Sequence, residues 1–300
     1  MAVKTVQVII NGVTTDLALN SATGDYEKTL TAPGKSSYTI NEGHYYPINV
    51  KATDTAGNVA TKNDVDTDRG KLDVNESVAP VSTITAPTEG QRLIGSPTVS
   101  WTVTDNDSGV NPNTIGITID SGSKVTANIT KTAITGGYRC TYAIPTALSE
   151  GGHTIKVDAQ DYDGNNAVQR SVSIIVDTIP PQLSITSPAN NLITNNATVT
   201  VAGTTNDSTS SPCTVKVKLN GGTAQNVAVG SNGAFSMTLT LKEGVNTIEI
   251  VSTDKAGKST TVNRTVTLDT KSPVIGAVKL SKNPVGTGDT FKISVTVTDA

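Results

Sequence analysis

Two short loops concentrate the carboxylates of this chain: DNDSG at 105–109, with Asp105 and Asp107, and DYDGN at 161–165, with Asp161 and Asp163. A third acidic run, NDVDTDRGKLDVNES, begins at residue 63 and carries Asp64, Asp66 and Asp68. Convergent carboxylates suit a hard cation such as Ca2+, which takes roughly 6 to 8 oxygen ligands. Asp105, Asp107, Asp161, Asp163, Asp66 and Asp68 are therefore the candidate Ca2+ ligands. The competing explanation is turn chemistry, because Asp and Asn accept hydrogen bonds from their own backbone. A later stretch of the chain keeps only Asp207 and Asp254 in the corresponding loops.

Other reactive residue types are sparse. The two histidines, His44 and His153, stand beside the Glu42 and Glu150 corners of a repeated motif, which argues for packing rather than acid–base work. The cysteines, Cys140 and Cys213, lie 73 residues apart at non-equivalent places and are expected to be free thiols. Nucleophile elbows, zinc helices and phosphate-cradling loops are absent from the sequence, so no catalytic residue is assigned and the chain is not expected to be an enzyme. Trp101 falls on an apolar alternation and is expected in a core. Tyr45 and Tyr46 are the one adjacent aromatic pair, a minor option for contact with a sugar. The net charge of -3 offers no basis for binding a phosphate backbone, and no apolar run approaches the ~20 residues of a membrane span.

The elements that must hold these residues are strands. Thr (49) and Val (33) far outnumber Leu (13), a balance that favours pleated sheet over long helices. Three copies of one motif recur: NEGHYYPINVKATDTAGN at 41–58, SEGGHTIKVDAQDYDGN at 149–165 and KEGVNTIEIVSTDKAGK at 242–258. In each, alternating apolar residues (Ile48 and Val50, Ile155 and Val157, Ile248 and Ile250) mark a half-buried strand, and Asp54, Asp161 or Asp254 opens a turn. An acidic residue four places before a proline marks the start of each new unit: Glu76 to Pro80, Asp177 to Pro181, Asp269 to Pro273. Seven strand-like runs lie between Pro80 and Pro181, near 81–86, 97–104, 113–120, 124–132, 137–143, 152–160 and 166–177. Seven short strands in about 100 residues predict an all-β fold of tandem immunoglobulin-like sandwiches.

The motifs EGGHTIKVDAQDYDGN and EGVNTIEIVSTDKAGK, with VDTIPP and LDTKSP after them, resemble bacterial Ig-like repeats of surface adhesins and phage tail proteins. The resemblance covers essentially the whole chain and implies fold more than function. No secretion signal, wall anchor or membrane segment is recognisable, and the opening MAVKTVQVIINGVTTDL is similar to phage tail Ig-like proteins. The resemblance thus implies a structural or adhesive component of a phage or phage-like tail located in the virion. A bacterial cell-surface adhesin or filament subunit is the alternative, and a carbohydrate-binding accessory module a weaker one.

The repeat also has a phase. KTVQVIIN at 4–11 aligns with TVKVKLN at 214–220 and TIGITID at 114–120, which are third strands, while FKISVTVTDA at the other end aligns with second strands. The expected division is therefore a partial domain at 1–74 lacking two strands, Ig-like domains at 75–178 and 179–270, and a two-strand segment at 271–300. One half could complete the other in a second copy by strand donation, giving a ring or a filament, or within one molecule. The alternative is a complete small sandwich at 1–70 with a frayed tail. Expected partners are copies of the chain, other tail proteins and a host glycan.

Overall fold

The computed structural model describes residues 2–63 and 70–299. It is all-β, and the chain divides into two compact units, Met1–Val176 and Asp177–Ala300.

The first unit contains one complete sandwich. One sheet runs Gly116–Ile119, Gly151–Asp158, Arg170–Val176, Gln91–Leu93; the other runs Thr130–Ile134, Gly137–Ala143, Thr98–Thr104, Val81–Ala86. Alternation dictates the core. Val99, Trp101 and Val103 point inward from one sheet and meet Ile117, Ile155, Val157 and Ile174 of the other, all essentially inaccessible to solvent. Pairings are antiparallel except that Gln91–Leu93 lies parallel to Arg170–Val176. Ahead of this sandwich, strands within residues 3–62 form a sheet with the path Tyr26–Glu27, Val13–Leu19, Val3–Ile10, Tyr46–Asp54, Val59–Lys62, with Lys71–Leu72 paired to Tyr46–Asp54. Val8 and Tyr46 are its buried apolar residues, and Val3, Val13, Leu19 and Val59 are exposed.

In the second unit, one sheet runs Gln182–Ser187, Thr198–Asn206, Ala234–Thr240, and the other Leu192–Thr194, Ser259–Leu268, Gly244–Thr253, Thr214–Leu219, Gln225–Val227. Val201 occupies the core position that Trp101 fills in the first sandwich, packed with Val215, Val217, Ile248, Ile250 and Val266. Among the described residues, strands Val274–Leu280 and Ile293–Thr298 pair only with each other, and every residue of the two strands is exposed, Val278, Ile293 and Val295 included.

Both sandwiches turn the same corner with a left-handed residue followed by a cap. Asp120 (φ 53°) accepts the Thr154 N–H at 2.8 Å, and Asn220 (φ 50°) accepts the Thr247 N–H at 2.8 Å. Asx side chains tolerate that backbone region better than most, which explains the residue type there.

Candidate metal centre

In each sandwich the loop between the third and fourth strands (after Thr98–Thr104 and after Thr198–Asn206) and the loop of the last hairpin lie at one end, beside the segment that enters the domain. In the first unit this brings Glu76, Asp105 and Asp161 together, with one carboxylate oxygen from each within 4.8 Å of the others. The second unit repeats the arrangement with Asp177, Asp207 and Asp254, all three buried.

Each aspartate uses one oxygen for its own loop. Asp105 Oδ1 accepts the Asp107 and Gly109 N–H groups at 2.9 Å each, and Asp161 Oδ1 accepts Asn165 N–H at 2.8 Å. Asp207 Oδ1 accepts Thr209 N–H at 2.8 Å and Ser210 N–H at 2.5 Å, and Asp254 Oδ1 accepts Lys258 N–H at 2.9 Å. Turn chemistry and cation binding are thus not exclusive readings, because a carboxylate has a second oxygen to offer.

Of the residues singled out in the sequence, Asp105 and Asp161 enter the triad. Asp107 and Asp163 are not members of it; one oxygen of each accepts a main-chain N–H, Ser36 to Asp107 and Glu76 to Asp163, each at 2.9 Å. Asp66 and Asp68 lie outside the described residues. Glu76 was legible only as the acidic mark four residues before Pro80; its recurrence as Asp177 before Pro181 was the available signal for a ligand role. Burial pushes the Glu76 carboxyl above its ordinary range; the Val78 N–H and Ser108 hydroxyl pull against this, and the Asp105 and Asp161 charges add to the rise. Three carboxylates this close repel one another, and the donor set is all hard oxygen. Both triads could therefore hold a metal ion.

The other sequence candidates are structural. Trp101 and Cys140 are fully buried, and burial pushes the Cys140 thiol up to about 11. His153 is buried in the first sandwich's corner, its Nδ1 2.9 Å from Asp120 Oδ2 and its Nε2 2.9 Å from the Ser149 carbonyl. His44 lies elsewhere in the unit, stacked on Tyr38 with ring centroids 3.9 Å apart, and the other side of the contact is a Tyr38–Tyr162 stack at 4.0 Å. Tyr46 is buried, its hydroxyl donating to the Lys35 carbonyl at 3.2 Å, which removes it from any sugar platform.

Residues 80–157 match the family described as Bacterial Ig domain, and residues 181–270 match Glucodextranase, domain B. Residues 80–157 and 181–270 are thus two Ig-like domains in tandem. Bacillopeptidase F of Bacillus subtilis (strain 168) is 28% identical over 148 residues, 49% of this chain and 10% of that protein, so the chain spans about a tenth of that relative's length. Among solved structures, the fibronectin(III)-like modules of Clostridium thermocellum CbhA align over 63% of the chain and 94% of that structure, with 16% identity and a TM-score of 0.38. Titin domains A168–A170 align over 89% of the chain and 93% of that structure, at 10% identity and a TM-score of 0.45.

Proposed function

We propose that these Ig-like domains form a non-enzymatic spacer or adhesion module carried outside a bacterial cell, either on its surface or as an accessory part of a larger secreted protein. The observation that carries this reading is the tied joint inside the first unit. Ser36 N–H binds Asp107, Glu76 N–H binds Asp163, and Tyr38 stacks on Tyr162, so the N-terminal sheet and the sandwich after it are joined by side chains as well as by the linker. A spacer needs such joints, because domains on a free linker reorient by default. The matched bacterial Ig domain family points the same way as to location, and the phage-tail expectation draws no support from it. Ca2+ belongs to this reading as the ion for the acidic triads, since it accepts irregular carboxylate-rich oxygen sets.

Antibody labelling and protease shaving of washed cells that make the protein would find it accessible at the surface or released to the medium. Recovery only from purified phage particles would replace this reading with the tail component.

A further inference from the structure

The two triads have the same layout but not the same partners, and the differences fall on two substitutions. Glu76 in the first sandwich is Asp177 in the second, and Asn165 is Lys258. The longer Glu76 reaches the Ser108 hydroxyl, which donates to Oε1 at 3.1 Å. Asp177 is one methylene shorter; its Oδ2 finds no hydrogen-bond donor, and the corresponding hydroxyl, Ser210 Oγ, is likewise buried without a partner. The Asn165 amide donates to Asp161 Oδ2 at 2.8 Å and to the Glu76 carbonyl at 3.1 Å. Lysine at 258 makes no such bond, and Asp254 Oδ2 is buried with no partner. Asp177 and Ser210 are completely inaccessible and Asp254 is 7% exposed, so water does not stand in as it would at the surface.

From this we infer that Asp177, Asp207 and Asp254 form the tighter divalent-cation site of the chain, selective for a hard ion of the Ca2+ class, while the Glu76 triad, already satisfied by Ser108 and Asn165, binds the same ion more weakly. A buried carboxylate oxygen without a partner carries a desolvation cost that an ion removes, and the first sandwich has largely removed it with its own side chains. The inference rests on the reading that the triads take Ca2+, and it ranks the second unit above the loops richest in Asp. Cys213 is a buried thiol near Asp207 and Asp254, so a soft ion such as Zn2+ is the competing occupant.

The test is calorimetric titration of CaCl2 into the full chain stripped with EDTA, with MgCl2 and ZnCl2 as comparisons. Two classes of Ca2+ site are expected. Asp177→Asn or Asp254→Asn should weaken the tighter one by at least about 10-fold, while Glu76→Gln leaves it unchanged. Both Asn variants should melt no lower than the wild type in EDTA, which shows that they fold. Lys258→Asn removes a positive charge yet should weaken the tighter site by about threefold to tenfold, by supplying the missing amide donor. If the wild type takes up no Ca2+, the cation reading fails as a whole. If uptake is lost in Glu76→Gln and kept in Asp254→Asn, the ranking alone is overturned. Zn2+ binding tighter than Ca2+ and lost in Cys213→Ser would overturn the hard-ion assignment.

Discussion

Replacing Asp120 and His153 together by asparagine should abolish the pH dependence of the first sandwich's stability in the neutral range. A ring nitrogen facing a carboxylate or a carbonyl must carry a proton, so Asp120 Oδ2 and the Ser149 carbonyl, each at 2.9 Å, are both satisfied only by the imidazolium. Burial lowers the His153 pKa, but the hydrogen bonds to Asp120 and Ser149 and the Asp120 charge outweigh it and raise the pKa above the ordinary 6.5. Burial likewise raises Asp120, and the bonds from His153 and Thr154 with the His153 charge bring it below the ordinary 3.8. The His153 contribution is therefore complete below pH 6.5 and is lost as pH climbs through the folded value; the Asp120 contribution is complete above pH 3.8 and is lost as pH falls through its own. The second sandwich builds this corner from neutral amides, with Asn220 Nδ2 donating to Asn246 Oδ1 at 2.9 Å. Deprotonation leaves one ring N–H for two acceptors. Because the Asp120 side chain is 46% exposed, the lost contact is worth about 1 kcal/mol after solvent screening. For a domain of roughly 100 residues that is about 4–8 °C in Tm. Trp101, the sole tryptophan and fully buried in the same sandwich, reports this unfolding selectively. Its fluorescence melting temperature should fall between pH 6 and 8 in the wild type, below the range where Cys140 titrates in the unfolded chain, and stay level there in Asp120→Asn/His153→Asn. A level wild-type profile, or a double variant that keeps the slope, would refute the imidazolium argument.

Three further outcomes follow from packing. A Cβ at Gly203 would sit 2.2 Å from the Ser184 carbonyl oxygen and 2.9 Å from the Phe235 ring, so Gly203→Ala should destabilise the second sandwich by about 1–3 kcal/mol, measured by urea unfolding. Cys140 and Cys213 are buried with raised pKa values, so neither should react with a thiol reagent at pH 8 until denaturant is added; prompt labelling of the native protein would contradict their placement. A double-mutant cycle of Tyr38→Ala and Tyr162→Ala should return a coupling of about 0.5–1.5 kcal/mol, the worth of an aromatic pair, and additive losses would show that the stack does not tie the joint.

The strands were legible where alternation is long. Runs read at 81–86 and 137–143 coincide with Val81–Ala86 and Gly137–Ala143, because one face of each meets the core and the other meets water. Gln91–Leu93 escaped, since three residues are too few to show a period, and the run near 124–132 is largely loop, with its strand displaced to Thr130–Ile134. Two members of the first triad, Asp105 and Asp161, could be read from their loops. Its third member could not, because a lone acid before a proline looks like a linker until the fold carries it against two distant turns. The Asp-rich spelling of DNDSG and DYDGN did not tell Asp105 and Asp161, which converge with Glu76, from Asp107 and Asp163, which accept main-chain N–H groups of Ser36 and Glu76.

The parallel pairing inside each sandwich has a mechanical consequence. Gln91–Leu93 runs alongside Arg170–Val176, and Leu192–Thr194 alongside Ser259–Leu268, one strand near the start of its domain and the other at its end. Tension applied through the ends of the polypeptide pulls two such strands in opposite directions along their shared axis. The rungs between them are then loaded in shear and must rupture together, whereas a zipper opened from one end breaks a rung at a time.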